Sequence, residues 1–291
     1  MRCSFPQPDV RAESSSMSSE AAVKDALQIR VGCQFSGSAA ERSPAVFQLQ
    51  PFRGEPHEIL EESWNIEPEV TRHEYFDSYG NQCQRLTVPP GKFTLRYDAL
   101  VQTSATADPV DPQAVELAAA DLPDEVLIYT SPSRYCLSDE MAATAAELFG
   151  ALTPGYERVA KISEFVHNHL EYTLGASTSV TTALAAYESG VGVCRDFAHL
   201  AVTFCRALDI PARYTFGYLP DIDTTSPYPM DFHAWFEAYL GDRWWTFDPR
   251  HNDRRRGRIV VGRGCDAVDV AMVTTYGDAT LNELTVWADL T

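Results

Sequence analysis

From Leu27 to Phe35 apolar and polar positions alternate: Leu27, Ile29, Val31, Cys33 and Phe35 on one side, Gln28, Arg30 and Gln34 on the other. A period of two marks a half-buried strand. The same pattern returns over 45–51, 57–66, 82–88 and 92–101, with turn signals between, such as Tyr79-Gly80-Asn81 and Pro89-Pro90-Gly91. Short strands at this spacing predict an antiparallel β-sandwich over 25–105. No polar constellation suited to chemistry falls within it. The Ala-, Asp- and Pro-rich stretch that follows, 106–124, reads as a linker.

Beyond it the period changes. The segment 138–152 opens on Ser138, a candidate N-cap, with acids in its first turn. Over 157–170, Val159, Ile162, Phe165, Val166 and Leu170 recur at helical spacing. A third, short helix is expected over 179–187, with Gly190 as its stop. A fourth begins near Cys194; Phe197, Leu200, Ala201, Phe204 and Leu208 form its apolar stripe and Pro211 ends it. The period then returns to two, over 212–219, 232–240, 243–249, 257–262 and 281–290. Helices followed by an antiparallel sheet make the second half, 125–291, an α+β unit.

One turn has consequences for chemistry. Gly241-Asp242 is a two-residue loop of the kind that closes hairpins. Leu240 then pairs with Arg243, and Trp235 lies opposite Asp248. His233, two residues from Trp235, shares its face. His233 and Asp248 are therefore diagonal neighbours with Cα atoms roughly 7–8 Å apart. A three-residue loop would put them on opposite faces.

Cys194 supplies the third group. A thiol in the first turn of a helix meets unpaired N–H groups and the positive end of the macrodipole, which favour the thiolate. The same N–H groups suit the oxyanion formed when a thiolate attacks a carbonyl. Gly190 and Gly192 are expected to leave the backbone open to substrate. Nucleophile Cys194, base His233 and orienting Asp248 complete a set for acyl transfer.

Charge and composition narrow the function classes. The 291 residues are 45% hydrophobic, enough for a substantial core, and carry a formal charge of −18. That charge disfavours nucleic-acid partners; the basic run Arg254–Arg258 reads as a solvated loop. No apolar run is long enough to span a bilayer, so no membrane partner is expected. The lead 1–24 is Ser-rich, reads as disordered and lacks the apolar region of a secretory signal; Met1 and Met17 both offer starts. A cytoplasmic location follows, with the seven cysteines reduced. Their scattered spacing forms neither a disulfide framework nor a zinc ribbon.

Other candidates have structural readings. Cys205, about three turns past Cys194, is expected in the core. His199 is off the Cys194 face and reads as a packing residue. Asp196 reads as a cap. Trp235 either shields the triad or is plain core. Tyr172 is a candidate to face the cleft and donate to an oxyanion. His167 and His169 point to different faces and make no metal pair. Asp221 and Asp223 lack the glycine and glutamate of a calcium loop, so their segment reads as a polar loop beside the cleft. No cofactor is required.

The stretches 190–220, 231–249 and 257–277 resemble the transglutaminase-like superfamily, and more narrowly the bacterial members described as candidate cysteine proteases that carry a β-sandwich before the core. The resemblance implies a papain-like or transglutaminase-like core of helices packed on an antiparallel sheet. It implies a Cys194–His233–Asp248 triad working through a thioester on a peptide or protein substrate, with hydrolysis favoured. The alternatives are amine cross-linking of protein glutamine, N-acyl transfer from a thioester donor (no nucleotide- or pantetheine-binding feature supports it), or a non-catalytic binding module. The stretch around Cys265 departs from the polar residue the resemblance implies there.

Overall fold

The computed structural model of the protein describes residues 26–291; the lead expected over 1–24, with Met17, lies outside them. The chain begins with six strands, β1 Ala26–Ala39, β2 Ser43–Phe47, β3 Glu58–Glu67, β4 His73–Phe76, β5 Gln82–Val88 and β6 Gly91–Ser104. Two 3-10 segments, Ala119–Asp121 of one turn and Asp124–Thr130 of about two, occupy the end of the expected linker and its continuation. There follow α1 Ala142–Phe149, α2 Tyr156–His169, β7 Glu171–Tyr172, α3 Ala183–Ser189, β8 Val191–Gly192 and α4 Cys194–Ala207. The strands β9 Ala212–Tyr218, β10 His233–Leu240, β11 Arg243–Phe247, β12 Ile259–Gly264, β13 Val273–Thr275 and β14 Thr280–Leu290 complete the chain.

The fold class is mixed, with helices beside several antiparallel sheets. Three four-stranded sheets carry it, ordered β14-β1-β6-β3, β13-β2-β5-β4 and β11-β10-β9-β12. The strand expected over 281–290 does not join the sheet of the second half. As β14 it runs antiparallel to β1, from Ile29 opposite Leu290 to Ser38 opposite Thr280. Likewise β13 pairs with β2. Without them the apolar faces of β1 and β2 would each have an open edge, a need that hydrophobic period alone does not reveal.

The sheet β11-β10-β9-β12 is covered on both faces. On one face Phe236, Ala238, Leu240, Trp245 and Phe247 pack with Leu200, Ala201 and Phe204 of α4 and with α1 and α2. On the other, Tyr214, Phe216, Tyr218, Ile259 and Val261 join the sandwich core of Ile29, Val31, Phe47, Leu95 and Tyr97. This double cover explains why every residue of β10 is buried and why the run Ala234-Trp235-Phe236 carries no polar position. The one acid in β10, Glu237, is tied to Arg213 at 2.6 Å and Arg263 at 2.8 Å. Burial alone would raise its pKa, but the two guanidiniums bring it down to about 2.

The third helix, expected over 179–187, starts later, at Ala183, where Thr182 Oγ1 accepts from the Ala185 N–H at 3.2 Å, and Gly190 at φ +70° stops it as expected. The Ser138 expectation fails: α1 starts at Ala142 with no side-chain cap, and Ser138 is itself buried. Close packing sets one strong constraint on the central sheet. A Cβ at Gly217 would sit 2.1 Å from the Ile259 carbonyl oxygen, a backbone atom with little room to yield. Gly217→Ala is expected to cost about 3 kcal/mol through overpacking, read as a lowered urea midpoint with an unchanged m-value.

Candidate functional site

Leu240 faces Arg243 and Phe236 faces Phe247, the register a two-residue loop demands, with Gly241 at φ +63°. His233 opens β10 and Asp248 directly follows β11. His233 Nε2 and Asp248 Oδ2 lie 2.8 Å apart, so the diagonal pair read from the turn is realised as a hydrogen bond.

Both groups are buried. Burial lowers the pKa of His233, yet the Asp248 charge and hydrogen bond outweigh it and raise the imidazole to about 9. For Asp248, burial acts upward, but His233 and Arg258 hold the carboxyl far below the usual range. The pair is thus an imidazolium and a carboxylate at neutral pH. With Nε2 engaged, Nδ1 is the ring nitrogen left for the thiol, and Cys194 is the next group acting on the ring.

Cys194 is the first residue of α4 and is only half-buried. Its Sγ lies 4.0 Å from the Phe232 carbonyl oxygen, beside the residue that precedes His233. Asp196 caps the helix by accepting from the Val193 N–H at 2.8 Å. The Cys194 amide, at the first helical position, has no acceptor within the helix and is available to an oxyanion. Gly192 has a different role from the one expected. It is buried, and a Cβ there would meet Asp196 Cβ at 2.8 Å; the glycine makes room for the cap rather than for substrate.

Cys194 and His233 line a cleft of about 640 Å³. Tyr172 lines it too, brought there by the two-residue parallel pairing of β7 with β8, in which Tyr172 stands opposite Gly192. Arg250 lies over its ring at 3.8 Å and Tyr228 packs edge-on at 5.1 Å. Burial, followed by the charge on Cys194, raises the Tyr172 pKa, which keeps the phenol a proton donor. Trp235, a candidate for shielding the triad or contacting substrate, does not line the cleft. It is fully buried and stacked on His233 with ring centroids 6.1 Å apart. It forms the dry wall behind the imidazole.

Two residues went unread in the sequence. The His251 ring lies 4.9 Å from that of His233, and the His251 main-chain N–H donates to Asp248 Oδ1 at 3.3 Å. Burial, joined by the neighbouring cations, lowers it to about 4, so it stays neutral. Arg258 donates from Nη2 to Asp248 Oδ2 at 2.9 Å and from Nε to both oxygens of Asp108, at 3.1 and 2.9 Å. The basic run is therefore not wholly a solvated loop: Arg254 is exposed, but Arg255 is buried, and the Arg258 side chain, only 7% exposed, sits between two carboxylates. A signal existed in Asp108, an acid inside the expected linker, but nothing in sequence spacing joins it to position 258.

The remaining candidates fall where packing puts them. Cys205 is fully buried and its thiol is pushed up by burial. His199 is buried between Tyr135 and Tyr214, accepting the Ala267 N–H at 3.2 Å. His167 Nδ1 lies 3.1 Å from the Pro249 carbonyl and His169 Nε2 2.8 Å from that of Tyr187. Asp223 pairs with Arg256 at 2.7 Å, and Asp221 lines the cleft as part of a polar loop. No helix among the described residues is long and apolar enough to cross a membrane.

Residues 142–249, which include Cys194, His233 and Asp248, match the model of the transglutaminase-like superfamily. An uncharacterized protein of Mycobacterium leprae (strain TN) is 28% identical over 214 residues, covering 70% of this chain and 75% of its own. Another, from Mycobacterium tuberculosis (strain ATCC 25618 / H37Rv), is 30% identical over 223 residues, covering 67% and 68%. The solved structure of a candidate cysteine protease from Cytophaga hutchinsonii is 31% identical and superposes with a TM-score of 0.84 over 92% of this chain and 91% of that one. A helix that begins on a half-buried cysteine, a hairpin that joins a histidine to an aspartate, and agreement with that structure over nearly the whole chain have one common explanation: this chain belongs to the transglutaminase-like superfamily.

Proposed function

We propose that the protein is a cysteine-dependent acyl-transfer enzyme that cleaves peptide or amide bonds through a thioester, with water as the acyl acceptor. The observation that carries this reading is the 2.8 Å bond from His233 Nε2 to Asp248, which leaves Nδ1 free on a ring that Cys194 also acts on.

In the first half-reaction Cys194 Sγ attacks as the thiolate, its proton already held on His233 Nδ1, and bonds to the substrate carbonyl carbon. The π pair moves to oxygen, for which the Cys194 amide and the Tyr172 phenol, both lining the cleft, are the candidate donors. Collapse re-forms the carbonyl and breaks the C–N bond; the amine departs with the proton from Nδ1. Water then gives a proton to His233 and its oxygen to the carbonyl carbon. The C–S bond breaks, and the thiolate–imidazolium pair is restored. Asp248 holds the ring's orientation and stabilises its cation throughout.

Alkylation tests the nucleophile. With iodoacetamide at about pH 6, where an ordinary thiol with a pKa near 8.5 reacts slowly, Cys194 is expected to label first and selectively, and His233→Ala is expected to abolish that selectivity. Labelling of Cys194 no faster than that of the buried thiols would sink the reading. Water as acceptor is tested with a glutamine-containing peptide, supplied with and without a labelled primary amine. Amine incorporation that depends on Cys194 would reassign the enzyme to cross-linking.

A further inference from the structure

Three consecutive residues, Ala271, Met272 and Val273, line one wall of the cleft. Val273 opens β13, the outermost strand of the sheet β13-β2-β5-β4. Gln48 N–H donates to the Met272 carbonyl at 3.1 Å, and Tyr276 N–H to the Pro44 carbonyl at 2.8 Å. The even-numbered residues thus turn their peptide groups toward β2. Alternate residues of an antiparallel ladder point theirs to opposite sides. Val273, opposite Phe47, directs its N–H and C=O away from β2, and no further strand lies beyond it in the sheet.

The side chains around this edge are apolar: Phe216, Leu219, Met230 and Val270 line the same cleft. Leu174 and Tyr228, also in the lining, are 58% and 38% exposed, an unusual state for large apolar groups beside a concave surface. Arg195 and Arg250 are balanced there by Asp221 and Asp231, so the cleft has no strong preference for a charged ligand. A main-chain edge offering hydrogen bonds, next to pockets for alternate apolar side chains, is the requirement of an extended polypeptide that binds as an added strand.

We propose that the cleft binds its substrate as an extended polypeptide segment with large apolar side chains, hydrogen-bonded as a strand to the free edge at Val273. This rests on the reading above for the identity of the cleft as the substrate site, but the binding mode is testable without turnover.

The experiment uses the full chain carrying Cys194→Ala, which holds a peptide uncleaved. The probe is a fluorescein-labelled heptapeptide alternating leucine with serine or glutamine, together with two counterparts N-methylated on one or the other set of alternate peptide bonds. Fluorescence anisotropy is expected to show one counterpart binding about tenfold more weakly than the parent, the loss of one or two main-chain hydrogen bonds. Val273→Pro, which removes an N–H on an edge strand where proline is tolerated, is expected to weaken the parent by a similar factor and to erase the difference between counterparts. Equal affinity of all three peptides for the Cys194→Ala protein would overturn the proposal, as would failure of the parent to bind at about 1 mM. If Val273→Pro does not fold, the N-methyl comparison decides alone. Strand-type binding in a protein whose Cys194 is not selectively alkylated would sink the chemistry and leave this inference standing.

Discussion

Asp248→Asn is expected to lower turnover on the order of a thousandfold or more, because the amide no longer fixes the imidazole or stabilises its cation. The pH behaviour identifies the cause. Burial lowers the His233 pKa, and Asp248, with a smaller contribution from Cys194, reverses this to reach about 9. Without that charge the largest upward influence is gone, and the ring is expected to shift toward its neutral form. Selective alkylation of Cys194 at about pH 6, which relies on an imidazolium partner, should then vanish. Stability changes in a defined direction as well. A histidine raised from 6.5 to about 9 on folding contributes stability that is fully present below 6.5 and is lost as pH rises through about 9. Asp248, held below its ordinary 3.8, contributes above that value and loses its contribution as pH falls further. The wild-type protein should therefore lose stability between about pH 6.5 and 9, and Asp248→Asn should flatten that slope. Equal slopes in chemical-denaturation curves across this range would show that the pair is not the linked group.

Arg258→Met is the second large effect. The guanidinium lies between Asp248 and Asp108, and all three are well buried or nearly so. Its removal leaves two carboxylates without their shared cation, and breaking such a buried set costs about 3–5 kcal/mol. Asp248 is then held down less strongly, so acid unfolding should begin at a higher pH than in the wild type. Arg258→Lys should recover only part of the loss, since an ammonium cannot span both carboxylates with a rigid fork. Full recovery with lysine, judged from urea midpoints, would mean that charge alone matters and the bridging geometry does not.

Periodicity and turn chemistry carried the reading of the site a long way because each constraint was local. A Gly-Asp loop sets parity, parity sets faces, and His233 and Asp248 meet. The helix start at Cys194 was likewise written in its own neighbourhood. Tyr172, Arg258 and the last strand were harder for one shared reason. Their positions depend on pairings between distant segments: β7 with β8, Asp108 with Arg258, β14 with β1. A two-residue ladder has no detectable period, and a cluster of arginines looks the same whether it faces water or a buried acid. Trp235 shows the opposite limit. Its face was legible, but whether that face opened on the cleft or on protein depended on the sandwich packed behind it.

The return of the chain to its first sheet has a further consequence. Everything from Thr106 to Met272 is strung between two strands of the sandwich, like a guest inserted into a host through paired hinges. Cutting the polypeptide after Ser104 would not yield two self-sufficient products. The released piece would keep β13 and β14, strands without their partners, while the host would lose one edge from each of its sheets. Since Ala271 to Val273 form both the second hinge and a wall of the cleft, the shape of the reactive groove is set by how firmly the host holds its guest.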